Sequence, residues 1–380
     1  MFHLDMVSIE QQDVSPEQQI TIATVLEAMY GTPNEPAVLP ETGLDLVKLE
    51  RAAGPVWSDE HGNGGGLYRR HCVHCHGTSG DGMGPTAAIL DPYPRDYRQG
   101  KFKFKSTERA ARPTDADLRH ILAQGIPGTA MPSFLLLPSD EIDALVEYVK
   151  YLSIRGETER GLVAAVVDLG EGEKLKLEHA TLVEEILQPI TEEWNTAKEK
   201  IIAPPPKPQA QLAQSVKQGQ ELFYGKRANC VKCHGESALG DGQATDYDDW
   251  SKPHAELQKA IADSAAAAGD NPNQDQTKAA ERDSKLSEVL AAVLPPRPIR
   301  PRNLRAGVYR GGGRPLDLYR RIHAGINGAP MPAVGPTAPG GQGTLTPQEI
   351  WQLVDYVQSL PYEPISRPPR DASVVGSTPR

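Results

Sequence analysis

Apolar residues recur at helical spacing in two segments that are almost alike, residues 141–152 (EIDALVEYVKYL) and residues 349–360 (EIWQLVDYVQSL). In each segment the apolar positions fall on one face of a helix, so the pattern predicts two amphipathic α-helices with one buried side. Thr346 precedes the second segment and Glu349 follows three positions later, a pairing that is typical of a capped helix start. Two such similar helices indicate that part of the chain is repeated.

Other helices are predicted outside this pair. The Ser-Pro-Glu sequence at residues 15–17, followed by apolar residues at helical spacing, predicts one capped helix that ends at Gly31. The sequence of residues 173–202 favours helix, and a proline run follows at residues 204–208. That run predicts a semi-rigid polyproline spacer.

Composition narrows the class of protein. The 35 glycines and 34 prolines among 380 residues predict long loops, short helices and little sheet. The formal charge of −10 argues against a nucleic-acid partner. The longest aliphatic run, residues 162–167, is far shorter than the roughly 18 residues that a membrane-spanning helix needs.

The repeat extends beyond the two helices. Residues 118–132 (LRHILAQGIPGTAMP) match residues 318–332 (LYRRIHAGINGAPMP) at Leu, Gly, Ile, Gly, Met and Pro. Upstream, residues 94–100 (PRDYRQG) match residues 301–307 (PRNLRAG). Three matches in the same order predict a duplicated domain.

All four cysteines belong to two C-x-x-C-H motifs, each followed by glycine. The motif residues are Cys72, Cys75 and His76 in the first repeat and Cys230, Cys233 and His234 in the second. Two thiols at this spacing on a helical turn can each form a thioether with a haem vinyl group, while the next histidine faces the iron. A zinc ribbon would need the two pairs close together, and a thioredoxin-like site does not require the histidine. The motifs therefore predict covalent attachment of two haem c groups.

Each repeat runs from an aromatic-bearing helix into C-x-x-C-H, then through an arginine-containing loop and a Gly-rich Met-Pro loop to the closing helix. This order resembles class I cytochrome c, over residues 66–155 and 211–362. The resemblance implies an all-α fold of two cytochrome c domains, in which the terminal helices cross beside an enclosed haem. The Pro-Arg-Asn-Leu-Arg and Gly-Ala-Pro-Met-Pro stretches are also similar to those of planctomycete-type dihaem cytochromes.

The resemblance also implies the second axial ligand of each iron. Met131 and Met331 occupy the same repeat position, where the family has its methionine ligand. The rival side chains are His120, His179, His254, His323 and Met83. His120, His323 and Met83 are not reproduced by the other repeat, and a ligand switch in one domain stays open. We expect His/Met ligation of both irons.

Two further expectations concern the surroundings of the haems. Arg95, Arg98, Arg302 and Arg305 are candidates to pair with haem propionates, one in each domain, with Arg95 and Arg302 as our choice; the alternative is a solvated loop charge. Family members often orient the histidine through a proline carbonyl, for which Pro85 is placed in the first domain. The second domain has Gln243 and Ala244 there, so the bond to His234 is expected to be made differently.

The second repeat has 49 more residues than the first between its C-x-x-C-H motif and its arginine-containing loop. This insertion, about residues 243–294, carries Ala-rich helical patterns at 256–268 and 278–293 and predicts a helical hairpin. Its acidic side chains could form a docking face, or the helices could serve only to cover hydrophobic surface.

The predicted organisation follows from these boundaries. It comprises an N-terminal extension (1–65), cytochrome c domain 1 (66–155), a helical and Pro-rich linker (156–210), cytochrome c domain 2 (211–365) and a disordered tail (366–380).

The expected function is electron transfer without enzymatic activity. The resemblance implies a relay of single electrons between redox proteins of a respiratory chain, from a quinol-oxidising complex to a terminal oxidase or reductase, with the protein free or a subunit of a larger complex. A dihaem cytochrome c peroxidase, which must open one iron to peroxide, is the alternative. Haem attachment of this kind implies a periplasmic or otherwise extracytoplasmic location. Residues 1–10 lack the pattern of a secretory signal. We therefore expect that the start is misassigned or truncated, or that the mature chain is given. Membrane association is expected only through an unseen anchor or a partner complex.

Overall fold

The computed structural model describes residues 1–169, 175, 178–209, 211–243, 245–267, 274–336 and 343–362. These residues form an all-α protein with one short antiparallel hairpin, β1 (Trp57–Ser58) and β2 (Gly64–Gly65), in which Trp57 pairs with Gly65. The α-helices are α1 (Met6–Gln11), α2 (Pro16–Tyr30), α3 (Leu46–Ala52), α4 (Leu67–His71), α5 (Val73–His76), α6 (Asp115–Gln124), α7 (Ser139–Val167), α8 (Gln188–Asn195), α9 (Leu212–Tyr224), α10 (Val231–His234), α11 (Lys252–Ala267), α12 (Gln274–Ala291), α13 (Pro315–Ala324) and α14 (Pro347–Ser359). Short 3-10 helices lie at Pro40–Thr42, Ala87–Ile89, Ala197–Lys200 and Leu304–Ala306, and a π-helix at Ala180–Leu187 leads into α8.

The two repeats build two separate hydrophobic cores. The first core contains apolar side chains of α2, α3, α4, α6 and α7, and the second contains those of α9, α13 and α14. The predicted all-α class is therefore confirmed, and each repeat has a core of its own.

The terminal helices of the second repeat cross closely at Gly219. A Cβ atom added to this glycine would overlap the carbonyl oxygen of Gln352 in α14, so only a bare glycine lets the two backbones approach. In the first repeat the equivalent helix α4 has only one turn because Gly66 precedes it in the left-handed region, with φ of 64°. Its Tyr68 packs on Tyr148 of α7 with ring centroids 4.8 Å apart.

Helix α7 is much longer than the sequence pattern predicted, and it runs without a break past the expected domain end at residue 155. Residues 155–159 of this helix are buried, and the N-terminal extension supplies partners for Thr158 and Glu159. The backbone N–H of Asp5 donates to Glu159 at 2.6 Å, and the hydroxyl groups of Tyr30 and Thr158 are 2.7 Å apart. Burial of polar side chains with partners is what keeps this part of the helix in the core.

The N-terminal extension contains the predicted helix as α2, with a Ser15 capping box and Gly31 at its end. It also contains α1 and α3, which the pattern did not predict. All three helices contribute buried side chains, so the extension packs on the first domain.

Within the described residues 178–202, the segment between the domains forms three short helical pieces, which are the π-helix, α8 and the 3-10 helix at Ala197–Lys200. It is tied to both domains. Ile202 N–H donates to the carbonyl of Ser106 at 2.9 Å, and the indole Nε1–H of Trp351 donates to the carbonyl of Pro205 at 3.1 Å. The proline run is therefore held against the second domain.

The insertion forms the predicted pair of helices, α11 and α12. Leu286 and Leu290 of α12 are buried and α12 lies against α1, so the pair covers apolar surface. A docking role for its acidic side chains stays a prediction. The predicted turn at 269–273 and the tail at 366–380 lie outside the described residues. Within the described part of the chain, no helix is both long and apolar enough to cross a membrane.

The close crossing at Gly219 can be tested. We expect Gly219→Ala to lower the free energy of unfolding by about 1–3 kcal/mol, the usual cost of overpacking, although alanine is the better helix former. Denaturant unfolding of the holoprotein measures the change. Lys217→Ala, an exposed position on the same helix, is the control and should stay within about 0.5 kcal/mol. Equal stability of the two variants would contradict the crossing.

Candidate functional site

The first C-x-x-C-H motif forms a single helical turn, α5. The backbone N–H groups of Cys75 and His76 donate to the carbonyl of Cys72 at 3.1 and 2.9 Å. Gly77 ends the turn in the left-handed region with φ of 72°. A side chain there would overlap the carboxylate of Asp81, so the tight exit requires glycine. Burial raises the pKa of the Cys72 thiol to about 12, so the free thiol is uncharged near pH 7.

The second motif repeats this geometry in α10. The N–H groups of Cys233 and His234 donate to the carbonyl of Cys230 at 3.2 and 2.9 Å, and Gly235 follows with φ of 78°. Each pair of cysteines therefore lies on a single helical turn of its own, as the spacing predicted.

Both histidines are oriented by a backbone carbonyl from the arginine loop. His76 Nδ1–H donates to the carbonyl of Arg95 at 3.0 Å, and His234 Nδ1–H donates to that of Arg302 at 3.4 Å. A carbonyl can only accept, so Nδ1 carries the proton and Nε2 keeps a free lone pair. Burial lowers the pKa of His76 to about 4 and lowers that of His234 as well, so both rings are neutral near pH 7. A neutral imidazole held in this way suits a metal ligand.

The expectation that a proline carbonyl orients His76 is wrong. The group that holds His76 is the Arg95 carbonyl and not that of Pro85, and the second domain uses the equivalent carbonyl. The reason is that each arginine loop folds back over its motif. The expected difference between the two domains at this bond is therefore absent.

The two methionines sit in loops with the same hydrogen bonds. Ile126 N–H donates to the Met131 carbonyl at 3.1 Å, and Ile326 N–H donates to the Met331 carbonyl at 3.2 Å. Both methionines are partly buried, and Met131 packs on the first core. Of the rivals, Met83 and His179 are exposed, and His179 pairs with a glutamate at 3.4 Å. His120, His254 and His323 lie on α6, α11 and α13. The choice of sulfur ligands stays a prediction.

The arginines of the two loops differ in what they contact. Arg98 pairs with Asp96 at 2.9 Å, and Arg305 donates to the carbonyl of Ser237 at 2.5 Å, so these two serve the protein itself. The guanidinium of Arg95 stacks on the ring of Trp250, and its burial lowers its pKa to about 10. The Nε–H of Arg302 is buried without a partner in the described residues. An unused donor of this kind on Arg302 suits a carboxylate such as a haem propionate.

Sequence reasoning missed Tyr97. Its ring stacks on the His76 imidazole, with centroids 4.6 Å apart and planes at 21°. The signal was present, because residue 97 lies in the repeated arginine segment, opposite the buried Leu304. In the first domain this aromatic side chain shields the histidine from water.

Comparisons with known proteins place the two repeats in one family. The family model described as cytochrome c matches residues 62–153 and 216–361, more than half of the chain. A solved chain of the reducing HAO-like protein complex of Kuenenia stuttgartiensis has 22% identity and a TM-score of 0.47, with 78% of this chain and 94% of that chain covered. No curated protein matches.

The stacking of Tyr97 on His76 predicts a large effect of truncation. We expect Tyr97→Ala to lower the free energy of unfolding by about 3–5 kcal/mol, as for other large aromatic truncations in a core. Tyr97→Phe keeps the ring and should cost less than about 1.5 kcal/mol. Thermal unfolding of both variants measures the difference, and a mild Tyr97→Ala variant would refute the shielding role.

Proposed function

This chain belongs to the cytochrome c family, and we propose that it binds two haem c groups and relays single electrons in a respiratory chain. Cytochrome c domains bind haem c and serve electron transfer or redox chemistry. The number of haems and the respiratory role are the parts that we propose.

The observation that carries the proposal is the imidazole geometry, repeated at both motifs. The hydrogen bonds to the Arg95 and Arg302 carbonyls leave Nε2 of His76 and of His234 free to bind iron. The cysteines on the same helical turns would hold the two haems by thioether bonds. These cysteines are Cys72 and Cys75 in the first domain and Cys230 and Cys233 in the second.

We propose Met131 and Met331 as the second axial ligands. Bound haem supplies an iron that changes reversibly between the ferric and ferrous states. A neutral thioether ligand favours the ferrous state and raises the reduction potential, and a filled sixth position leaves no room for oxygen or peroxide. The role of the polypeptide is to hold the imidazoles neutral and oriented, to keep water away from the haem sites and to fix the sulfur ligands in place.

Arg95 and Arg302 are proposed to pair with haem propionates. Support comes from the unpartnered Nε–H of Arg302 and from the burial that lowers the pKa of Arg95. A guanidinium matches a carboxylate in shape and stays charged when it is buried.

We place the protein outside the cytoplasm, where cytochrome c domains typically occur. Its partners are proposed to be redox proteins, a quinol-oxidising complex on one side and a terminal oxidase or reductase on the other. The support is the single-electron chemistry of the proposed His/Met sites.

The haem number can be measured directly. Replacement of Cys72 and Cys75 by serine should remove one of two covalent haems, because each pair binds its own group. The haem content per chain, measured by the pyridine haemochrome method, should fall by half. The matched double variant at Cys230 and Cys233 should do the same. A wild-type protein with a single haem would overturn the count.

The axial ligands have a spectroscopic signature. Met131→Ala should remove about half of the long-wavelength ferric iron–sulfur absorption and lower one midpoint potential, because a soft ligand is lost. Met331→Ala should remove the other half. The control is Met83→Ala, at an exposed methionine, which should change neither. Rapid peroxide turnover by the reduced wild-type protein, with that absorption missing for one haem, would instead indicate a dihaem peroxidase.

A further inference from the structure

The two domains meet through the loops that flank their candidate haem sites. Gly128, three residues before Met131, packs against the guanidinium of Arg302, whose carbonyl holds His234. Arg310 also donates to the Gly128 carbonyl at 3.4 Å. The methionine loop of the first domain therefore touches the histidine-orienting loop of the second.

The reverse contact exists too, and Trp250 makes it. Its ring edge lies against Gly328, three residues before Met331, so closely that a Cβ atom on this glycine would overlap the ring. On the other side, the Arg95 guanidinium lies 3.3 Å from the ring centroid. The indole Nε1–H donates to the carbonyl of Asp96 at 3.2 Å. Trp250 thus fills the space between the methionine loop of the second domain and the histidine-orienting loop of the first.

These contacts join the two sites in an unbroken series. His76 donates to the carbonyl of Arg95, and the next carbonyl along the chain, that of Asp96, accepts from Trp250. From Trp250 the series passes by ring contact to Gly328 and along the backbone to Met331. The N–H of Asp249, the residue before Trp250, also donates to the Gly328 carbonyl at 3.1 Å.

Two ion pairs hold the segment around Trp250 on the first domain. Lys103 pairs with Asp248 at 2.8 Å, with both side chains mostly buried, and Lys101 pairs with Asp249 at 2.8 Å. Buried charged groups with a partner are costly to separate. The tryptophan is therefore fixed in place rather than free to swing.

We propose that Trp250 couples the two haem sites, so that an electron passes within the chain between the His76 side of the first site and the Met331 side of the second. The proposal rests on the proposed function, because it needs two haems. In this step one ferrous iron becomes ferric and the other ferric iron becomes ferrous. Trp250 keeps all its electrons, no proton moves and no further reactant is needed.

Paramagnetic proton NMR of the half-reduced holoprotein tests the proposal. The haem methyl signals of the two domains should differ, because Tyr97 shields one histidine and Leu304 lies opposite in the other repeat. Fast exchange within the chain gives averaged signals whose exchange rate does not depend on protein concentration. We expect Trp250→Leu to slow this exchange by about tenfold or more, since a hydrogen bond and a ring contact are replaced by a gap.

Trp351→Leu is the matched control. This indole is buried, whereas that of Trp250 is half-buried, and it also donates to a backbone carbonyl, that of Pro205, but it lies in the second core away from the series. It should leave the exchange rate within about twofold of the wild type, since it removes no contact between the sites. Trp250→Phe keeps a ring and should give an exchange rate between those of wild type and Trp250→Leu.

The outcomes separate the inference from the proposed function. Two haems with unchanged exchange in Trp250→Leu would overturn the coupling role and leave the relay function standing. An equal slowing of electron exchange in Trp351→Leu would also overturn the coupling role of Trp250, because the effect would then come from general loosening of the fold. A wild-type protein with fewer than two haems would contradict the proposed function itself.

Discussion

The hydrogen bond from a buried imidazole to a backbone carbonyl is the constraint on which each site depends. A buried histidine is held neutral, and a neutral ring has one N–H that must find an acceptor. In both domains a carbonyl of the arginine loop supplies it, at Arg95 and Arg302. The loop must therefore return over the C-x-x-C-H turn, however many residues lie between. In the second domain the 49 extra residues are accommodated outside this contact.

The repeats share this arrangement but differ in what surrounds it. The first domain is covered by the N-terminal extension and by the long helix α7, whose polar stretch at residues 155–159 is buried against that extension. The second domain is closed by the crossing of α9 and α14 at Gly219 and carries the helical insertion. Since solvent exposure and polarity around a haem tune its potential, the two proposed haems are expected to differ in potential.

The segment between the domains does not act as a loose tether. Backbone and indole hydrogen bonds fasten Ile202 to the first domain and Pro205 to the second. The reciprocal loop contacts and the Lys103–Asp248 ion pair hold the two sites in one arrangement. A fixed arrangement of this kind is what a relay through two centres requires, because transfer within the chain depends on the contacts between them.

Motif spacing and repetition along the chain were sufficient to predict the duplication, the helical turns of the C-x-x-C-H motifs and the helix pair of the insertion, and the family resemblance of these motifs implied the all-α class and the two cytochrome c domains. These features depend on local geometry, since a helical turn places residues three and four apart on one side. The length of α7, the carbonyl that holds each histidine, the stacking of Tyr97 and the place of Trp250 were decided only by the tertiary structure. Each of them depends on a partner that is distant in sequence, such as Asp5 for Glu159 or Gly328 for Trp250, and no local pattern specifies which distant groups will meet.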